Sequence, residues 1–179
     1  MRIIAGAQKG FHLFTPTWKG LRPTSDRLRE TLFNVLRNEV VGARFLDGCA
    51  GTGAIGLEAI SRGASNVTFV ESDRRAIALI EKNIRQCGAE NSSTIVRGGL
   101  PESLARSVEH ACFDLCVLDP PYEFDNAAIS AILTGVKRYL EEDGLIVLER
   151  ARRAVAVEVA GLLNRRRVTS GDSVLYFYG

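Results

Sequence analysis

The stretch of sequence that decides the fold is Phe45-Leu46-Asp47-Gly48-Cys49-Ala50-Gly51-Thr52-Gly53-Ala54-Ile55-Gly56. A short apolar strand is predicted before the glycines, and a helix is predicted near 53–62. Gly51, Gly53 and Gly56 form the pattern G-x-G-x-x-G, in which glycine permits a tight turn and lets a ligand lie against bare backbone. The segment therefore predicts an α/β fold that binds an adenosine-containing ligand between this strand and this helix.

On both sides of this stretch, short apolar runs alternate with helical periodicity. Strands are predicted at 44–47, 67–71, 94–97, 113–119 and 144–149, and further helices near 73–87, 100–108 and 126–140. Alternating strands and helices are joined by right-handed crossovers and give a parallel sheet covered on both faces. We therefore expect a Rossmann-like sheet whose ligand site lies at the carboxyl ends of the strands.

The two ends of the chain depart from this alternation. Residues 165–169 and 174–178 flank the turn-rich segment Ser170-Gly171-Asp172-Ser173, which predicts a hairpin and an antiparallel C-terminal strand. Residues 2–5 and 12–15 predict a small N-terminal hairpin around Gly10. A helix is then predicted to begin near Thr24 or Ser25, with a buried stripe of Leu28, Leu32 and Val35 or Leu36.

Composition is that of an ordinary globular protein, with 46% hydrophobic and 25% charged residues in a chain of 179. No apolar run is long enough to span a bilayer, and no secretory signal is evident, so a cytoplasmic protein is expected. The four cysteines include no Cys-x-x-Cys pair, and no metal site is predicted. Residues 1–40 carry seven Lys/Arg and three Asp/Glu, a modest bias that suits contact with a polyanion.

Two carboxylates give the glycine pattern its chemical meaning. Glu71 follows Gly51 by 20 residues at the end of a predicted strand, where a carboxylate accepts hydrogen bonds from both ribose hydroxyls. Asp47 stands where NAD would bring a pyrophosphate, and two anions placed together are costly. The sulfonium and ammonium groups of S-adenosylmethionine would instead be favoured there. The predicted cofactor-binding residues are Asp47, Ala50, Gly51, Thr52, Gly53, Glu71 and Ser72.

A second motif, Asp119-Pro120-Pro121-Tyr122, follows the fourth predicted strand, at the same edge of the sheet. The amino group of a nucleobase is a poor nucleophile because its lone pair is delocalised into the ring. The Asp119 carboxylate and the Pro120 carbonyl can accept its two hydrogens and direct the lone pair at a methyl donor. Tyr122 can stack on the base. We predict Asp119, Pro120 and Tyr122 as the catalytic residues.

With these motifs in hand, the chain resembles the bacterial RsmD family, small-subunit ribosomal RNA guanine-N2 methyltransferases with the seven-stranded class I fold. The resemblance runs nearly end to end. It includes Arg2-Ile3-Ile4-Ala5-Gly6, Gly20-Leu21-Arg22-Pro23-Thr24-Ser25-Asp26-Arg27-Leu28-Arg29-Glu30, the glycine stretch and Asp119-Pro120-Pro121-Tyr122. The Arg-Pro-Thr segment is the most specific to the family, whereas the other two motifs occur in many amino-methyltransferases.

The resemblance implies a substrate and a division of the chain. The substrate would be one guanine of 16S ribosomal RNA, within a partly assembled small subunit. Residues 1–40 would form an RNA-facing extension of hairpin and helix, and residues 41–179 a single methyltransferase domain. The residues expected to contact RNA are Arg22, Thr24, Arg27 and Pro121, with Arg29 the weaker candidate because it could simply face solvent. Many class I enzymes read adenine with an acid after the third strand, but here Arg97-Gly98-Gly99-Leu100 leaves backbone amides for that contact.

Three other functions stay open on the sequence alone. The same chemistry could act on DNA adenine or cytosine, or on a protein glutamine, although 179 residues leave little room for a DNA-recognition domain. An NAD-dependent oxidoreductase would share the glycine pattern, but Asp47 and the lack of a Ser/Tyr/Lys set argue against it. A catalytically silent RNA-binding module would not need the intact Asp119–Tyr122 motif.

Overall fold

We describe a computed structural model of the chain over residues 1–18, 20–21, 24–107 and 113–179. Within this part, seven strands form one sheet in the order β3-β2-β1-β4-β5-β7-β6. The strands are β1 (Arg44–Gly48), β2 (Asn66–Glu71), β3 (Ser93–Arg97), β4 (Phe113–Leu118), β5 (Leu140–Ala151), β6 (Asn164–Ser170) and β7 (Ser173–Tyr178). The α-helices are α1 (Asp26–Leu36), α2 (Ala54–Ser61), α3 (Arg74–Cys87), α4 (Glu102–Ser107) and α5 (Asn126–Lys137).

The strand directions confirm the predicted fold class. Strands β1 to β5 pair in parallel, and β7 pairs antiparallel with both β5 and β6. The prediction for β5 was too short, because its far end pairs with β7 as far as Ala151 opposite Ser173. The fifth helix ends at Lys137 rather than near 140, because Leu140 already pairs with Phe113 of β4.

The core lies on both faces of the sheet, since successive residues of a strand point to opposite sides. On β1, Phe45 packs with residues of α1, α2 and α3, whereas Leu46 packs with residues of α4 and α5. Helix α3 lies where it is predicted, and its apolar residues at three- and four-residue steps, Ile77, Ile80, Ile84 and Cys87, are all buried. This two-layer cover fixes the carboxyl ends of β1, β2, β4 and β5 along one edge.

Helix α1 begins where the sequence predicts it. The Ser25 side chain accepts a hydrogen bond from the Leu28 amide and caps the helix. Leu28, Leu32 and Leu36 are buried, as the predicted stripe requires, and Val35 is partly buried. Within the described residues, no helix has both the length and the apolar character needed to cross a membrane.

The N-terminal hairpin is shorter than predicted: Arg2 and His12 form one antiparallel bridge, and backbone hydrogen bonds join Met1 and Ile3 to residues 10–13. The reason is that the Ile4 and Ala5 amides donate to the buried carboxylate of Glu58, at 2.7 and 3.0 Å, rather than to an opposing strand. The same carboxylate pairs with two guanidinium groups, those of Arg29 and Arg62.

The position of the Arg29 side chain contradicts one prediction about the surface of α1. It is fully buried, and its guanidinium donates to Glu58, to the Arg2 carbonyl and to Asp26. The view that Arg29 faces solvent is therefore wrong, because this group anchors the N-terminal segment to α1 and α2. The division of the chain at residue 40 stays a prediction.

Candidate active site

A cleft of about 490 Å³ opens at the carboxyl ends of the parallel strands, the edge predicted for a ligand site. This volume suits a small-molecule ligand. Its walls are formed by the start of α1 with the loop before it, by the loops that follow β1, β2, β3 and β4, and by residues of β5 and β7. The wall residues that matter below are Leu21, Thr24, Ser25, Cys49, Ala50, Gly51, Thr52, Glu71, Ser72, Gly98, Gly99, Asp119, Pro120, Pro121, Tyr122, Glu149 and Ser173.

The glycine loop is braced by Glu71. One carboxylate oxygen accepts from the Gly51 amide at 2.8 Å, and the other accepts from the Ser72 and Asp73 amides at 2.7 and 2.9 Å. Gly51 has a φ of 57°, a conformation that side chains disfavour. The predicted ribose acid and the glycine turn are therefore held together beside the cleft.

The third glycine of the pattern serves packing. A Cβ atom at Gly56 would overlap the ring of Phe69 on β2. This contact lets α2 lie close against the sheet, so that its first turn faces the cleft edge.

The carboxylate of Asp47 does not line the cleft. It is 1% exposed and accepts a hydrogen bond from the Gly56 amide at 2.8 Å, behind the glycine loop. Burial raises the pKa of Asp47 to about 7. Gly53 is also outside the wall, where it caps the start of α2. The other predicted cofactor residues, Ala50, Gly51, Thr52, Glu71 and Ser72, do line the cleft.

Across the cleft, Asp119 meets the segment that precedes α1. The Thr24 hydroxyl donates to the Asp119 carboxylate at 2.8 Å, which joins residues 95 positions apart in the chain. Pro120, Pro121 and Tyr122 line the same wall. Arg27 is exposed and is not part of the wall, and Arg22 lies outside the described residues.

Glu149 is a site residue that the sequence reasoning missed. Leu118 of β4 pairs with Leu148 of β5, so Asp119 and Glu149 follow at adjacent strand ends. Glu149 is 3% exposed, and its Oε1 accepts from the Tyr122 hydroxyl at 2.8 Å. Its Oε2 is buried with no hydrogen-bond partner among the described residues. The signal that could have found it is an acid at the carboxyl end of a buried strand, the same feature that indicated Glu71 and Asp119.

The proximity of these acids changes their ionisation. Burial, and next the neighbouring charge of Glu149, raise the pKa of Asp119 well above its usual range, while the Thr24 hydrogen bond opposes the shift. The two carboxylates are close enough to share a hydrogen bond when one of them is protonated. They therefore form a pair that holds a proton at pH values where a free carboxyl would have lost it.

The thiol of Cys49, in the glycine loop, is affected by the same carboxylates. Burial raises the pKa of its thiol to about 12, and the charges of Glu71, Asp119 and Asp47 add to the effect. Three carboxylates, two at the cleft walls and one behind the glycine loop, thus act on this thiol. Such a field attracts a cationic ligand and repels a pyrophosphate.

The contact expected to read adenine has one fewer donor than the sequence implies. Gly98 and Gly99 line the cleft, but the Gly98 amide already donates to the Glu71 carbonyl at 2.9 Å. A hydrogen bond to an adenine ring through that amide is therefore excluded in this arrangement.

A family model described as conserved hypothetical protein 95 matches residues 1–179. Among curated proteins, the chain is 35% identical to the putative rRNA methyltransferase YlbH of Bacillus subtilis over 182 aligned positions, covering 99% of this chain and 98% of that protein. It is 38% identical to ribosomal RNA small subunit methyltransferase D of Haemophilus influenzae, covering 83% of this chain and 78% of that protein.

Solved structures give the same picture. The putative methyltransferase yhhF from Escherichia coli superposes with a TM-score of 0.82 at 31% identity, covering 99% of this chain and 96% of that one. A Thermus thermophilus protein described as hypothetical, TTHA0928, superposes with a TM-score of 0.81 at 32% identity, covering 99% and 98%.

Proposed function

The chain belongs to the family described as conserved hypothetical protein 95, the RsmD family, and from that membership we propose that it is an S-adenosylmethionine-dependent ribosomal RNA methyltransferase. The single observation that carries the proposal is that the glycine loop and the Asp119–Tyr122 loop face each other across one cleft. One loop would hold the methyl donor, and the other would present an amine to it.

The donor site is supported by the residues around the glycine loop. Bound S-adenosylmethionine supplies a methyl group on a positively charged sulfur. Glu71 would accept hydrogen bonds from the ribose hydroxyls, and Ala50 and Gly51 would let the ligand approach bare backbone. Asp47 acts from behind the loop through its charge rather than by direct contact. The cleft volume of about 490 Å³ and the converging carboxylates both fit a cationic nucleoside.

The acceptor site is built on Asp119. Its carboxylate and the Pro120 carbonyl accept the two hydrogens of the amino group and orient the nitrogen lone pair for in-line displacement. Tyr122, held through its hydroxyl by Glu149, packs against the flipped base. Once the methyl group is transferred, the nitrogen must lose one proton, and the Asp119–Glu149 pair is the group beside it that can take this proton.

The finer substrate assignment rests on the resemblance and on the names of relatives. We propose the N2 amino group of one guanine of 16S ribosomal RNA, presented in an assembling small subunit. Relatives named ribosomal RNA small subunit methyltransferase D support the subunit. Thr24, from the Arg-Pro-Thr segment specific to the family, supports the placement of the acceptor site at Asp119, because its hydroxyl donates directly to that carboxylate.

Transfer of tritiated methyl groups to under-methylated small subunits tests the proposal. The wild-type protein should label one guanine, and Asp119→Ala should abolish labelling with little change in S-adenosylhomocysteine affinity. Arg85→Ala, on α3 far from the cleft, is the matched control and should label normally. Labelling of duplex DNA instead of subunits would overturn the ribosomal assignment, and tight binding of NADH in place of S-adenosylhomocysteine would overturn the chemistry.

A further inference from the structure

The charge of the chain is divided in a way that the net value of +2 conceals. Residues 1–40 carry a net charge of +4, residues 41–149 carry −6, and residues 150–179 carry +4. Of the two basic segments, only residues 1–40 are predicted above to suit contact with a polyanion. The second contains six arginines and two acids, and it forms the end of β5 together with the β6–β7 hairpin.

Five of these arginines lie on one border of the sheet, which we call the arginine edge: Arg152, Arg153, Arg165, Arg166 and Arg167. Strand β6 is the last strand of the sheet, and its residues from Asn164 to Arg167 are exposed. Arg152 and Arg153 are exposed in the turn that follows β5. None of the five forms an ion pair with any residue of the described ranges.

Three members of the arginine edge are oriented by neighbouring groups. Arg165 donates to the main-chain oxygen of Gly179 at 3.1 Å, and Arg167 lies over the ring of Tyr176 at 6.0 Å. The Arg152 guanidinium donates weakly to the Gly171 carbonyl at 3.5 Å. The groups that orient Arg152 and Arg167 are neutral, so these two positive charges remain available to an anionic partner.

The arginine edge is continuous with the active-site cleft. The Arg152 amide donates to the Asp172 carbonyl at 2.7 Å, and the next residue, Ser173, lines the cleft. Ser170 at the end of β6 bonds to Thr31 of α1 at 3.1 Å. From Ser170, the arginines at 165–167 extend about 10 to 17 Å along the strand. A chain that entered the cleft beside α1 would therefore meet this border next.

We infer that the arginine edge binds the sugar-phosphate backbone of RNA flanking the base that enters the cleft. The inference rests on the proposed function. Guanidinium groups bind phosphate through paired hydrogen bonds and without sequence preference. Charged residues on an edge strand also prevent pairing with other chains. That protective role would not need five residues of one sign on a border that begins beside the cleft.

The double variant Arg153→Ala/Arg166→Ala tests the inference, because neither side chain has a hydrogen-bond or ion-pair partner among the described residues and the fold should be unaffected. The matched control is Arg85→Ala/Arg138→Ala, which removes two arginines that form no ion pair within the described ranges, from the ends of α3 and α5. Both helices begin at the cleft edge and run away from it, so the control residues at their C-terminal ends lie near the amino ends of the strands.

Two readouts are decisive. KM for under-methylated small subunits should rise about tenfold in the edge variant, with kcat and S-adenosylhomocysteine affinity unchanged. The slope of log affinity for a 16S ribosomal RNA transcript against log salt should fall by about 1.4 to 1.8, the loss of two phosphate contacts. The control variant should match wild type in both.

Equal behaviour of the two variants would overturn the inference, as would a fall in kcat without a change in KM. Failure of the proposed function looks different: the wild-type protein would then transfer no methyl group to subunits. In that case the transcript-binding measurement still judges the arginine edge, because it needs no catalysis.

Discussion

Replacing Glu149 by glutamine should move the acidic limb of the pH–rate profile to lower pH. Glutamine keeps the size of the side chain and an oxygen that can accept from the Tyr122 hydroxyl, which lies 2.8 Å from Oε1. It removes the negative charge beside Asp119. Because Asp119 must be ionised to accept amine hydrogens, its raised pKa sets the limb of the wild-type profile.

The size of the shift follows from the strand geometry. The two carboxylates follow paired residues on adjacent strands, which lie about 4.8 Å apart. Two unit charges about 4 Å apart interact with about 4 kcal/mol at an effective dielectric constant near 20. This interaction corresponds to about three pH units, and residual solvent screening should reduce it to between about one and three. Activity of the variant should therefore survive at acidic pH where wild type has lost it.

The assay is single-turnover methyl transfer to under-methylated small subunits from about pH 5 to pH 9, within the range where perturbed carboxyls titrate. Ser173→Ala is the control, because it removes the second neighbour of the Tyr122 hydroxyl, at 3.3 Å, without changing charge. The acidic limb of the Ser173→Ala profile should coincide with that of wild type. If Glu149→Gln transfers methyl groups normally with an unmoved limb, the carboxyl pair does not govern Asp119 and the reasoning fails.

Three more perturbations address the rest of the site. Asp47→Asn should flatten the pH dependence of stability: the folded-state pKa of Asp47, about 7, exceeds its unfolded value, so its stabilising effect is complete at acidic pH and lost as pH rises through 7. Urea unfolding of the ligand-free protein should show that the free energy of unfolding falls between pH 5 and 8 by about 2–4 kcal/mol more in wild type than in the variant. An equal fall in both proteins would contradict a raised pKa for a buried Asp47 carboxyl. Glu71→Ala should weaken S-adenosylhomocysteine binding by about 1–3 kcal/mol in calorimetry, and an unchanged Kd would remove Glu71 from the donor site. Thr24→Val removes the hydrogen bond that opposes the raised pKa of Asp119, so the acidic limb of the pH–rate profile should move to higher pH while S-adenosylhomocysteine affinity is unchanged. A shift to lower pH would contradict the role given to this hydrogen bond.

The sequence was a good guide wherever a pattern is local. The glycine turn of the first loop, the buried stripe on α1 and the start of that helix after Ser25 each depend on neighbours within one or two turns, and all three lie where predicted. The edge of the sheet that carries the site followed from strand and helix order alone.

What the sequence could not supply is the partner of each polar group across the fold. Glu58 accepts hydrogen bonds from the amides of Ile4 and Ala5, 54 and 53 residues away, and so shortens the expected hairpin. Asp47 turns toward the Gly56 amide rather than the cleft, because the start of α2 lies directly above it. Glu149 joins the site only because β5 pairs beside β4, a register that no local pattern reveals.

The thiol in the cleft has a consequence for chemical probes. Cys49 lines the ligand site, and such a residue would ordinarily invite covalent inhibitors that carry an electrophile. Such reagents react with thiolate, and a pKa of about 12 leaves almost none at neutral pH. Chloroacetamide or acrylamide compounds should therefore label this cysteine slowly, and reversible cationic nucleosides are the better starting point for blocking the pocket.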